Sequence, residues 1–164
     1  MAEDPIITTP FSGAECGAMA RAIAADESRW RPHVRFDEGN RAFAEIERTN
    51  EHQTYVISWL DDADTGFHDH DVSAGGVHVI EGAIHEERLG FGCGILERVA
   101  GAGETIEFGP SYIHRFRPAE GVPTISIHVY SPPLRTMGAY SEGPDGALIR
   151  VPIDGDADLS DTAG

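Results

Sequence analysis

Three of the eight histidines in this chain fall in a pattern that suits a metal ion, in the segments Gly66-Phe-His68-Asp-His70 and Ser111-Tyr-Ile-His114. Residues i and i+2 of a strand point to one face, so His68 and His70 would project together as neighbouring imidazoles. His114, from a distant strand, would close one face of an octahedron and leave the opposite face for substrate and oxygen. An isolated His-x-His on a surface strand usually binds nothing; the glycines around this one argue for a built site. A second set alternates in Ser126-Ile-His128-Val-Tyr130, so its three polar side chains also share a face. Taken alone they are a satisfied core triad. Beside an open metal site they form a relay: Ser126 orients His128, and His128 shares a proton with a Tyr130 hydroxyl that reaches substrate or oxygen.

The elements that must position these residues read as follows. Ser12-Gly-Ala-Glu15 has the capping-box form, and Cys16, Met19, Ala20 and Ile23 recur at helical spacing, which predicts a helix from Gly13 to Ala25. The stretch from Trp30 to Phe36, containing Pro32, reads as irregular or briefly helical. From Thr54 onward short apolar runs alternate with turn residues: Thr54–Leu60, Gly76–Glu81, Ala83–Leu89, Gly94–Val99, Glu104–Phe108, His114–Arg117 and Pro123–Tyr130. Glycines 82, 90, 92, 101 and 103 fall between them, where turns require them. This rhythm predicts an all-β sandwich or barrel. Pro132-Pro133 ends the sheet because neither residue donates to a ladder, and Leu134–Ile153 is read as an edge segment.

The two histidine blocks resemble the paired motifs of the cupins, Gly-x5-His-x-His-x4-Glu-x6-Gly and Gly-x5-Pro-x-Gly-x2-His-x3-Asn. His68, His70 and Gly82 match the first and Gly103 and His114 the second, while Gly109, Ser111 and Pro118 replace the expected Pro, Gly and Asn. Gly75 stands where a typical cupin has its fourth ligand, a glutamate, so the set is three neutral imidazoles with no carboxylate. In this it is similar to the cysteine dioxygenase family of thiol dioxygenases. The gapless stretch from Trp59 to His70, the Ser126-x-His128-x-Tyr130 segment and the run Asp64–Gly76, like that of the family's actinobacterial branch, carry the resemblance.

The resemblance implies a cupin double-stranded β-helix, a jelly-roll barrel, with a short helical N-terminal segment. It implies an Fe(II) cofactor at His68, His70 and His114, and oxidation of a small thiol by O2 to the sulfinic acid without an external reductant. Cysteine is the family's usual substrate; 3-mercaptopropionate, cysteamine-like thiols and a bulkier thione such as ergothioneine are alternatives. Some members crosslink a cysteine at the position of Gly75 to the tyrosine matched by Tyr130, so Tyr130 is expected as an unmodified phenol, and Cys93 as a small buried or edge thiol. The family binds its substrate carboxylate with an arginine upstream of the first histidine. That position falls on Ala42, one residue from Arg41, which makes Arg41 the first candidate and Arg48 and Arg135 the others. The competing readings are a non-catalytic metal-binding cupin, such as a small-ligand sensor or storage module, or another cupin enzyme such as an isomerase or carbon–carbon dioxygenase.

Composition limits the partners. A formal charge of −16, from 12 basic against 28 acidic residues, repels nucleic acid and anionic membrane surfaces. Two distant cysteines and the lack of a signal-peptide pattern predict reduced thiols and a cytoplasmic location. No apolar run approaches a membrane span. Residues 1–153 are read as a single domain, a monomer or weak homo-oligomer, and residues 154–164, with four aspartates and no cation, as an acidic disordered tail.

Overall fold

The computed structural model describes residues 10–36, 41–90, 92, 94–119 and 121–155. Helix α1 spans Gly13–Ala24, and its N-cap Ser12 accepts from the Glu15 backbone N–H at 3.1 Å, as the capping pattern predicts. Cys16, Ala20 and Ile23 form its buried stripe. Burial pushes the Cys16 thiol up to about 12, making it an inert packing group. Asp26 then caps a single turn, α2 (Glu27–Trp30), which a 3-10 turn at Arg31–His33 continues.

Eleven strands follow: β1 (Ala42–Arg48), β2 (Gln53–Trp59), β3 (His68–Asp69), β4 (Ala74–Glu81), β5 (Ala83–Gly90), β6 (Gly94–Gly101), β7 (Thr105–Phe108), β8 (His114–Pro118), β9 (Thr124–Ser131), β10 (Thr136–Glu142) and β11 (Leu148–Asp154). They form two antiparallel sheets, ordered β1-β2-β9-β4-β7 and β11-β10-β3-β8-β5-β6. Strand β1 has no counterpart in the sequence reading, because its alternation is interrupted by a bulge between Glu45 and Glu47. The Leu134–Ile153 segment is a hairpin rather than a single edge segment, with β10 joined to β3 and β11 at the sheet margin. Asp154 still pairs with Thr136, and Gly155 donates to the Arg135 carbonyl. Residues 156–164 and Cys93 lie outside the described residues.

The alternation of β9 organises the interior. Ile125, Ile127 and Val129 face the helices and pack with Cys16, Ala20, Ile23, Trp30 and Val56. Ser126, His128 and Tyr130 face the other sheet, among Tyr55, Ile57, Trp59, Val77 and Phe116. Helix α1 lies directly on β4, where a Cβ on Gly76 would stand 2.2 Å from the Gly17 nitrogen. Gly76→Ala therefore cannot be absorbed by a side-chain rotation. It should destabilise the protein by about 1–3 kcal/mol and lower Tm by roughly 2–12 °C, measured by calorimetry; an unchanged Tm would show that helix and sheet separate freely.

Candidate metal centre

Local turns hold the histidine strand in place. Gly66 takes a positive φ of 64° before His68, and Asp71, at φ 53°, turns the chain after His70, where the Ser73 N–H closes on the His70 carbonyl. Asp64 accepts from the Gly66 N–H and is held by Arg115, while Thr65 Oγ1 accepts from the Phe116 N–H. The segment before His68 is thus tied to β8, the strand that carries His114, and His68 and His114 face each other across β3 and β8. Asp69, between the two histidines, points the other way. Its carboxylate accepts from Arg150 Nε at 2.8 Å and Nη2 at 2.9 Å, and from the Tyr140 hydroxyl at 2.6 Å. Burial alone would raise the Asp69 carboxyl, but these donors hold it well below the usual range. Gly138 makes room for this clamp, since a Cβ there would meet both Arg150 and Asp69.

His68, His70 and His114 are all buried, and one ring nitrogen from each lies within 4.8 Å of the others. Desolvation, followed by the neighbouring imidazoles, holds His70 and His114 well below their ordinary pKa, so both rings stay neutral and keep their lone pairs. His68 Nδ1 lies 3.0 Å from the Gly66 carbonyl, which leaves Nε2 as its ligand atom. His114 Nδ1 lies 3.1 Å from Glu86 Oε2. Among the described residues, buried His114 Nε2 and His70 Nδ1 have no hydrogen-bond partner. Orphaned imidazole nitrogens in a dry interior are costly unless a ligand takes them. The donor set therefore fits one divalent transition-metal ion, with three imidazole nitrogens and, among the described residues, no carboxylate grouped with them.

Phe108 occupies the space beside Gly75. A Cβ on Gly75 would fall 2.3 Å from the Phe108 ring, and that ring stacks on His70 with centroids 4.7 Å apart. Tyr130, opposite Gly75 in the ladder, stacks on the same imidazole at 5.0 Å.

Ser126, His128 and Tyr130 form one hydrogen-bonded chain. The Trp59 indole N–H, which can only donate, reaches Ser126 Oγ at 2.9 Å. Ser126 Oγ lies 2.7 Å from His128 Nε2, and His128 Nδ1 lies 3.0 Å from the Tyr130 hydroxyl. Burial, then Arg41 and His68, lower His128 to about 3, which keeps the ring neutral at physiological pH. A neutral ring carries one proton, so His128 can donate to one of its two oxygen partners and accept from the other.

The three arginines separate. Arg41 is 5% exposed, with its guanidinium carbon 5.5 Å above the Trp59 ring, beside the relay. Arg48 is largely exposed and pairs with Glu45 at 2.6 Å. Arg135 is exposed as well, and with Arg48 lines an outer cavity of about 660 Å3. Sequence reasoning passed over Glu86, Phe108 and the Asp69–Tyr140–Arg150 clamp. An inward glutamate was legible in principle, because Ile84, Glu86 and Arg88 alternate with His85 and Glu87 along β5. What Glu86 touches was not.

The family model for cysteine dioxygenase type I matches residues 12–143. No curated protein matches the sequence. Among solved structures, the TT1209 protein of Thermus thermophilus superposes with a TM-score of 0.56 at 14% identity, over 63% of this chain and 93% of that one. An uncharacterised double-stranded β-helix protein of Klebsiella pneumoniae gives 0.55 at 17% identity, over 74% and 92%. A cupin 2 barrel protein of Leptotrichia buccalis gives 0.53 at 14%, over 62% and 45%. At these identities the structures support the fold alone, a cupin barrel. The sequence match runs from the cap of α1 through β10 and takes in every strand that carries a histidine of the centre or a residue of the relay, so the chain belongs to the cysteine dioxygenase type I family.

Proposed function

We propose that this protein is an Fe(II)-dependent thiol dioxygenase that converts a small thiol, cysteine or a related compound, to its sulfinic acid. The observation that carries this reading is the set of buried, inward-turned histidine nitrogens standing beside the Trp59–Ser126–His128–Tyr130 chain. His68, His70 and His114 would hold the metal; iron(II) there would supply adjacent positions for a thiolate and for O2. The electrons lost by sulfur reduce both oxygen atoms, so no outside reductant is required.

The chain's own residues would do the rest. Tyr130, hydrogen-bonded to His128, presents a hydroxyl proton to substrate or to developing negative charge on oxygen. Ser126 and Trp59 hold the His128 ring in place. Arg41, a buried cation beside Trp59, is the group best placed to select a carboxylate-bearing thiol; Arg48 and Arg135, on the outer surface, are the weaker candidates. Among the described residues no helix is long and apolar enough to cross a bilayer.

The test is oxygen uptake by the iron-loaded protein with cysteine, 3-mercaptopropionate, cysteamine and ergothioneine. One O2 should be consumed per thiol, and both atoms should appear in the product from 18-O2. Iron that binds and responds spectroscopically to a small ligand, with no uptake for any thiol, would favour a sensor or storage module. Changing His68, His70 or His114 to Ala should abolish stoichiometric iron by metal analysis; full retention in His114→Ala would remove the centre. Tyr130→Phe should keep iron and lower turnover on the order of 10- to 1000-fold; an unchanged rate would make Tyr130 only a packing group. Arg41→Ala should raise KM, lowering kcat/KM for acidic thiols on the order of 10- to 1000-fold while sparing cysteamine. An equal loss for both substrates would end the carboxylate assignment.

A further inference from the structure

Glu86 is 1% exposed on β5, a place where an unpaired carboxylate is strongly disfavoured. Its two oxygens have different partners: Oε1 accepts from Arg98 Nε at 3.0 Å, and Oε2 faces His114 Nδ1 at 3.1 Å. Arg98 can only donate, and if Nε2 of His114 is the metal ligand its Nδ1 carries the ring proton and donates as well. Arg98 is half-exposed and, with Glu86, Arg88 and Tyr112, lines a cavity of about 360 Å3. The supports of the candidate ligands therefore differ. His68 Nδ1 leans on a backbone carbonyl, and His114 Nδ1 on an acidic side chain.

We infer that Glu86, anchored by Arg98, is a positioning residue that fixes His114 as a metal ligand and lends the three-imidazole centre the negative charge its inner set lacks. The inference rests on the reading of His68, His70 and His114 as a metal site. With Nδ1–H committed to Glu86, the His114 lone pair lies on Nε2, the buried nitrogen left without a partner. An imidazole that donates to a carboxylate is held in one orientation and is the more basic ligand. The charge missing at Gly75 is thus present behind a ligand, across the His114 ring and one hydrogen bond, carried by β5 instead of β4.

Anaerobic Fe(II) binding, by competition with a chromophoric chelator, tests this alongside the Tm of the metal-free protein. Glu86→Leu should weaken Fe(II) binding about 10- to 100-fold, and Glu86→Gln should recover part of it, because an amide oxygen accepts the same proton without the charge. The metal-free Tm of Glu86→Leu should fall, because removing one partner leaves the buried His114 Nδ1 unpaired, so affinity is read at a temperature where the metal-free variant is folded. Parental Fe(II) affinity in Glu86→Leu would overturn the inference, as would a loss that Glu86→Gln fails to relieve. If Glu86→Leu does not fold, Arg98→Gln decides: a smaller but measurable loss of affinity is expected, and parental affinity overturns the inference. Failure of the unsubstituted protein to bind Fe(II) would sink the metal reading itself, a result distinct from all of these.

Discussion

Three buried imidazoles packed with their ring centres about 5 Å apart set the terms for the rest of this molecule. Desolvation and the neighbouring rings hold His70 and His114 well below their ordinary pKa, and each buried nitrogen needs either a partner or an ion. The neighbourhood divides its work accordingly. Gly66 offers a carbonyl, Glu86 a carboxylate and Phe108 and Tyr130 ring faces, while the nitrogens turned inward are left to one another. Strand β3, which carries two of the rings, is only two residues long. Its orientation therefore depends on the Asp69 clamp and on the Asp64–Arg115 tie to β8, not on ladder hydrogen bonds alone.

Strand β9 converts the same constraint into architecture. It is buried on both faces, yet only one face is apolar. Ile125, Ile127 and Val129 form the seam with α1, and the opposite face carries three polar side chains into the barrel. Burial of those groups is tolerable because each hydrogen bond in the series Trp59, Ser126, His128, Tyr130 has a donor and an acceptor in sequence. The glycines of β4 serve both sides of this strand. Gly76 admits the helix on one face, and Gly75 leaves room for the Phe108 ring on the other.

The centre departs from the common cupin set by a displacement of charge. With no glutamate at position 75, the candidate ligands would be uncharged neighbours of an ion, which would suit the thiolate of the proposed reaction. The Glu86 carboxylate faces His114 instead, and Arg98 pairs with it at the surface. A buried cation at Arg41 stands on the relay side of the barrel. Positive charge near Trp59 and negative charge behind His114 give the interior a polarity that a small thiol carrying a carboxylate would complement.

Much of this was legible from local pattern. The alternation of Ser126, His128 and Tyr130, the pairing of His68 with His70, the capping box at Ser12 and the all-β rhythm are periodicities, and a periodicity fixes which side chains share a face before any partner is known. Spacing also placed His114 with the pair, through a resemblance that the family match bears out for fold and membership. The tertiary structure alone decided what lies opposite. Arg41, just before β1, came inward, while Arg48, beyond the bulge at the other end of that strand, and Arg135, between β9 and β10, stayed on the surface. Glu86 met His114 across β5 and β8, twenty-eight residues apart in the chain, and Asp69 met Arg150 at a greater separation. Such pairings arise from strand register between distant segments, a quantity that no local window of sequence contains.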